Sequence, residues 1–316
     1  MIVQLPARGL GGSAPIPCGP PVFATQIAQP QPPRGAPAGW LLCCRALSHG
    51  TARMATERRR VLITGAGSGL GLALAHRYAR SGARVACVDL HSDRAESARA
   101  ALQGEGHLAL TADVGDDASM EALSMRVRDA WGGVDVLINN AGIASAGPMV
   151  KTTMDEWRKV LEIDLLGVVR GCRLFLPDML SAGRGQIINT ASFAGLAGAP
   201  GAMSYGVAKA GVVALSEQLR AEVEHKGVRV SVICPAFFRT NLLEGAIIDE
   251  KTKARVGKLM DRSPDTVDSV ADKVFAQAER GVFMIIPTKR EPGYWRMKRW
   301  MPERYFRMLQ KMNPIN

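Results

Sequence analysis

The 316-residue chain contains no apolar run of about 18 residues, the length a bilayer-crossing helix requires, so no transmembrane segment is expected. It contains no His-Glu-x-x-His motif, and its five histidines (His49, His76, His91, His107, His225) are scattered. Its six cysteines (Cys18, Cys43, Cys44, Cys87, Cys172, Cys234) lack zinc-like spacing, so no metal is expected. Cys87, Cys172 and Cys234 fall inside apolar strand- or helix-like stretches, where cysteine behaves as a small buried hydrophobe. A reducing, cytoplasmic compartment without disulfides is the simplest reading. No solenoid-type repeat is present, which excludes a stacked-repeat architecture.

Acidic residues are missing altogether from residues 1–53, which carry four Arg and nine of the 18 prolines. Pro-Pro and Pro-x-Pro pairs recur there (Pro15, Pro17, Pro20, Pro21, Pro30, Pro32, Pro33). Such a stretch does not pack as a domain. It reads as disordered, as an acid-poor Arg-bearing leader, or as residues ahead of a natural start at Met54. Against the leader stand its prolines and the lack of a clean amphipathic helix. Residues 1–53 are expected to be dispensable for folding and cofactor binding. The remainder divides into a main domain at 54–290 and a basic, aromatic tail at 291–316.

What is present fits a globular protein: 47% hydrophobic and 22% charged residues. The net charge of +11 is compatible with nucleic acid, an anionic membrane or a phosphate-bearing ligand. Apolar strand patterns alternate with helical ones. Strands are predicted at 61–63, 83–90, 107–112, 134–138, 185–192, 228–234 and 282–286. Helices are predicted after the first strand and at 92–103 (with Ser92 as N-cap), 116–131, 155–181, 200–225 and 264–280. Residues 241–262 have less pattern and are read as a flap. Such alternation implies a parallel sheet with right-handed crossovers.

The first strand, Val61-Leu-Ile63, stops at Thr64 and runs into Gly65-Ala-Gly-Ser-Gly-Leu-Gly71 and a helix. A glycine turn lets backbone approach a diphosphate, and the following helix N-terminus offers free N–H groups and a positive dipole end. The spacing is G-x-x-x-G-x-G; the commoner G-x-G-x-x-G fails because position 70 is Leu. Asp89 ends the second strand about 20 residues on, where a carboxylate hydrogen-bonds a ribose 2′-hydroxyl and repels a 2′-phosphate. NAD is therefore favoured over NADP. Tyr205 and Lys209 lie one helical turn apart, and Ser192 precedes Tyr205 by thirteen residues. A nearby ammonium is expected to lower a phenol's pKa, and a serine hydroxyl can hold a reacting oxygen. Beside a nicotinamide, that set suits hydride exchange with an alcohol carbon.

Thr64-Gly-x-x-x-Gly-x-Gly71, Asp89, Asp113, Asn139-Asn-Ala-Gly142, Ser192, Tyr205-x-x-x-Lys209, Pro235 and Thr240 together resemble the short-chain dehydrogenase/reductase family, in order and spacing, from about residue 58 to 286. The resemblance implies an α/β fold, a doubly wound Rossmann domain with a seven-stranded parallel sheet and helices on both faces. It implies Tyr205 as acid/base, Ser192 as substrate-orienting hydroxyl and Lys209 as a further holder of the nicotinamide ribose. Asp113 and Val114 would flank the adenine, and Thr240 would contact the carboxamide. Gly65, Ser68, Gly69, Leu70, Gly71, Asn140, Ala141, Gly142 and Pro235 complete the implied cofactor site with Asp89. Assembly into a homodimer or homotetramer through 155–181 and 200–225 is implied as well.

Two departures stand out. Asp164 occupies the position where the family usually has an Asn that supports a proton-relay water; an aspartate can accept but not donate there, and can draw Lys209 into an ion pair. Pro235-Ala-Phe-Phe replaces the common Pro-Gly. The expected substrate pocket is Phe193, Met203, Phe237, Phe238, Leu242 and Leu243, apolar and without an Arg to clamp a carboxylate. The expected function is hydride transfer between a nicotinamide cofactor and a hydrophobic alcohol, ketone or aldehyde. The alternative is an NAD-responsive binding or scaffold protein whose catalysis is impaired by Asp164. The tail, Tyr294 to Met312, interleaves aromatics and Met with Arg and Lys. It reads either as packing on its own domain or a sister subunit, or as contacting an anionic bilayer; nucleic acid is not expected.

Overall fold

The computed structural model describes residues 58–240 and 243–312, which fall within one compact unit, Glu57–Asn316. Residues 1–53, with Cys18, Cys43, Cys44 and His49, and the pocket candidate Leu242 lie outside the described residues.

Seven parallel strands form one sheet in the order β3-β2-β1-β4-β5-β6-β7. They are β1 (Arg60–Thr64), β2 (Arg84–Asp89), β3 (Leu108–Thr111), β4 (Val136–Asn139), β5 (Gly185–Thr190), β6 (Val228–Ile233) and β7 (Met284–Ile285). The helices are α1 (Gly69–Arg80), α2 (Ser92–Ala100), α3 (Asp117–Trp131), α4 (Met154–Leu161), α5 (Gly167–Ser181), α6 (Phe193–Ala197), α7 (Met203–Val223), α8 (Glu250–Asp261), α9 (Val267–Glu279), α10 (Glu291–Trp300) and α11 (Pro302–Met312).

Continuous apolar strands are what a sheet covered on both faces requires. Successive side chains of β1 enter opposite layers. Val61 and Ile63 join a core with Leu74 and Tyr78 of α1 and Val270 and Val274 of α9. Leu62 joins the other core, with Leu123 of α3, Phe175 of α5 and Val212 of α7. The buried thiols of Cys87, Cys172 and Cys234 are pushed up to about 12 by burial, as small hydrophobes would be. The doubly wound α/β expectation is met.

Element ends differ from the sequence-based expectations where side-chain capping or tertiary contact intervenes. Ser92 starts α2 rather than capping it; the N-cap position is His91, whose side chain makes no capping bond. The fifth strand stops at Thr190, and Ser192 leaves the sheet to cap α6, accepting from the Ala194 N–H. The segment 241–262 is not patternless: α8 forms there, capped by Asp249 accepting from the Thr252 N–H. In the tail, Pro302 opens a second helix, since proline suits the first helical turn.

Strand order reverses between β1 and β4, and a crevice opens outside the strand ends at such a switch point. Thr64 ties its two sides together: its Oγ1 accepts from the N–H groups of Asn140 and Ala141 at 3.0 and 3.1 Å. The Asn140 amide donates to the Thr64 and Gly65 carbonyls at 3.0 and 3.3 Å.

Candidate active site

A cavity of about 880 Å³ occupies this crevice. The residues read from sequence as cofactor-binding converge on it: Gly65, Ser68, Gly69, Leu70, Asp89, Asp113, Val114, Asn140, Ala141, Gly142, Pro235 and Thr240 all line it. Gly71 does not. It is buried in the first turn of α1, where an added Cβ would sit 2.1 Å from the Gly65 carbonyl oxygen. Its role is close packing of helix against turn. Gly65 and Gly69 lie at φ +66° and +54°, backbone that a side chain resists. The turn thus leaves bare backbone facing the groove at the α1 N-terminus, a fit for a dinucleotide's diphosphate.

At the far end of the groove the Asp89 carboxylate accepts from the Gly67 N–H at 3.0 Å and the His91 N–H at 3.2 Å. Arg94, which the sequence pattern did not single out, lines the same end and pairs with Glu244 at 3.6 Å.

Ser192, Tyr205 and Lys209 line the other end of the same cavity. The Ser192 hydroxyl donates to the Pro235 carbonyl at 3.4 Å and accepts from the Ala194 N–H at 3.1 Å. Lys209 is buried, donates to the Thr190 carbonyl at 3.2 Å, and holds its Nζ 5.8 Å from the centre of the Tyr205 ring. Burial pushes the Tyr205 phenol up, the Asp164 charge pushes it further, and a hydrogen bond with Ser192 works the other way. Desolvation is the largest of these effects.

Asp164 explains part of this. Between α4 and α5 the helix widens into a π-helical turn, Glu162–Leu166, and turns Asp164 fully inward. One carboxylate oxygen accepts from the Ile143 N–H at 2.8 Å, and the other lies 3.6 Å from Lys209 Nζ. The ion pair anticipated from the sequence is therefore present. That second oxygen accepts no hydrogen bond among the described residues. Burial pushes the Asp164 carboxyl up, against the opposing effects of Lys209 and the Ile143 N–H.

The remaining wall is largely apolar. Phe193, Phe237, Phe238 and Leu243 line it as expected, whereas Met203 does not. The structure adds Ile248, Val256 and Leu259 from the flap, and Leu309 from α11. It also adds Arg255 of α8, which corrects the expectation of a wall free of Arg. Ser145 also lines the cavity and bonds Glu156 and, at 2.9 Å, Ser204, the residue before Tyr205. No sequence spacing marks Leu309 or Arg255 as wall residues; only the return of their helices over the crevice does.

A glycine turn at a switch point and a Ser, Tyr, Lys set thus share one cavity. Residues 59–251 match the family model described as short chain dehydrogenase. The chain is 35% identical over 219 residues to meso-2,3-butanediol dehydrogenase of Serratia marcescens, covering 69% of this chain and 87% of that one. It is 39% identical over 183 residues to D-threitol dehydrogenase of Mycolicibacterium smegmatis, covering 57% and 70%. A crystal structure of a short chain dehydrogenase/reductase from Burkholderia phymatum in complex with NAD superposes with a TM-score of 0.71 at 27% identity, over 82% of this chain and 97% of that one. The chain belongs to the short-chain dehydrogenase family.

Proposed function

We propose that the protein interconverts a hydrophobic secondary alcohol and its carbonyl compound with NAD, using Tyr205 as acid/base. The supporting observation is the shared cavity: the glycine turn and Asp89 at one end, Ser192, Tyr205 and Lys209 at the other, and an apolar wall beyond them. The bound nicotinamide supplies or accepts the hydride. Tyr205 donates its phenolic proton to the carbonyl oxygen in reduction and accepts the hydroxyl proton in oxidation. Ser192, held between the Pro235 carbonyl and the Ala194 N–H, aligns that oxygen. Lys209 faces the Tyr205 ring and offsets the charge that a phenolate carries. Asp89 favours NAD, because a carboxylate repels a 2′-phosphate.

A panel of hydrophobic alcohols and ketones, read by NADH absorbance, tests this. Tyr205→Phe is expected to lower kcat by about 10²- to 10⁴-fold. Wild-type turnover surviving in that variant overturns the mechanism. The second reading, an NAD-responsive binding protein, is favoured by one observation: the buried Asp164 charge raises the Tyr205 pKa. NAD binding with no turnover across the panel would support it. We extend the proposal to a homodimer or homotetramer, for which exposed Leu166 and Val207 on the segments 155–181 and 200–225 provide apolar contact surface.

A further inference from the structure

We propose that the outward face of the α10–α11 pair is a docking surface for an anionic lipid bilayer. These helices lie beyond the residues that match the family. Their inner face is held by the domain. Tyr294 and Trp295 pack on the core, Lys298 donates to the Leu196 carbonyl at 2.5 Å, and Tyr305 is 3% exposed. Leu309 lines the cavity from the same helix.

The outer face is different. Trp300 is 82% exposed, Phe306 55% and Met301 43%, so large apolar groups point away from the domain at the corner between the helices. Arg304 and Arg307, with Glu303 as the one acid, flank Met301 and Pro302 in a shallow groove at that corner. Residues 291–312 carry six Lys and Arg against two Glu. Two copies of so cationic a face repel each other when paired about a two-fold axis. A bilayer instead offers anionic headgroups to the arginines and an interfacial layer suited to Trp and Phe. Because Leu309 bounds the cavity, docking would hold the substrate wall next to the lipid. The docking itself does not depend on which substrate is turned over.

The test is co-sedimentation of the full-length protein with phosphatidylcholine vesicles, with and without phosphatidylserine. Binding to the anionic vesicles is expected, weakening as salt is raised. Trp300→Ser with Phe306→Ser, and separately Arg304→Gln with Arg307→Gln, are each expected to weaken it more than about tenfold, since each cation near such a surface is worth about fivefold. NAD binding of both variants, measured in parallel, is expected to be unchanged and verifies folding. Full vesicle affinity in either variant overturns the proposal. So does failure of the wild type to bind anionic vesicles, including the case where size-exclusion chromatography shows the same substitutions breaking a dimer.

Discussion

Asp164 is a fully buried carboxylate beside Lys209. Its carboxylate is enclosed between the Ile143 N–H and Lys209, and burial raises its pKa. A group whose folded-state pKa is raised contributes stability that is complete below its unfolded pKa and is lost as pH rises through the folded value. Asp164→Asn removes this titration. The melting temperature of the variant relative to wild type is therefore expected to rise as pH increases from the ordinary aspartate range through the raised folded value. The same change removes the anion that pushes Tyr205 up and adds an amide donor. Turnover in Asp164→Asn is expected to equal or exceed wild type, with the kcat-pH profile displaced to lower pH. A displacement to higher pH would contradict this account.

At the scale of elements, the site depends on three local devices. The π-helical turn between α4 and α5 carries Asp164 inward. The cap at Ser192 begins α6, so one hydroxyl both ends the crossing from β5 and faces the cavity. The cap at Asp249 begins α8, which contributes Thr252, Arg255 and Val256 to the cavity wall. The Asp249 carboxyl is held below its ordinary range chiefly by the Thr252 N–H, so its capping is present above the unfolded aspartate pKa and fades as pH falls through the lowered value. Asp249→Ala is expected to fray α8 from its first turn. Hydrogen exchange at the Thr252 amide would speed up, and KM for an apolar substrate would rise while kcat changes little. Unaltered protection at Thr252 would show that tertiary contacts alone hold this helix.

For the whole molecule, the cofactor groove joins the β1 and β4 ends of the sheet, so occupancy should stabilise the entire unit. A ligand at a hundred times its Kd adds about 2.7 kcal/mol, equivalent to roughly 5–10 °C in melting temperature for a domain of this size. Equal concentrations of NAD and NADP are expected to separate, with NAD giving the larger shift. Asp89→Ala should narrow the gap by removing the repulsion of the 2′-phosphate. An NADP shift equal to that of NAD in wild type would point instead to Arg94 as the group that settles the choice.

The seven strands, their alternation with helices and the residues around Gly65, Ser192, Tyr205 and Lys209 were legible in the chain itself. Local patterns suffice for these: apolar runs make buried strands, glycines mark the turn, and fixed spacing puts Tyr205 and Lys209 on one helical face. The structure alone decided features that depend on residues distant in sequence. Gly71 packs against Gly65 instead of lining the groove, and the phenol of Tyr205 is raised by burial and by the Asp164 charge. Arg255 and Leu309 reach the cavity from helices that start at the end of the family's matched region or follow it, through contacts that no local spacing encodes. The tail's amphipathic pattern announced a buried face and an exposed one. Only packing on the domain determined that Tyr305 turns inward and Trp300 outward, because which stripe is buried is set by the surface it meets.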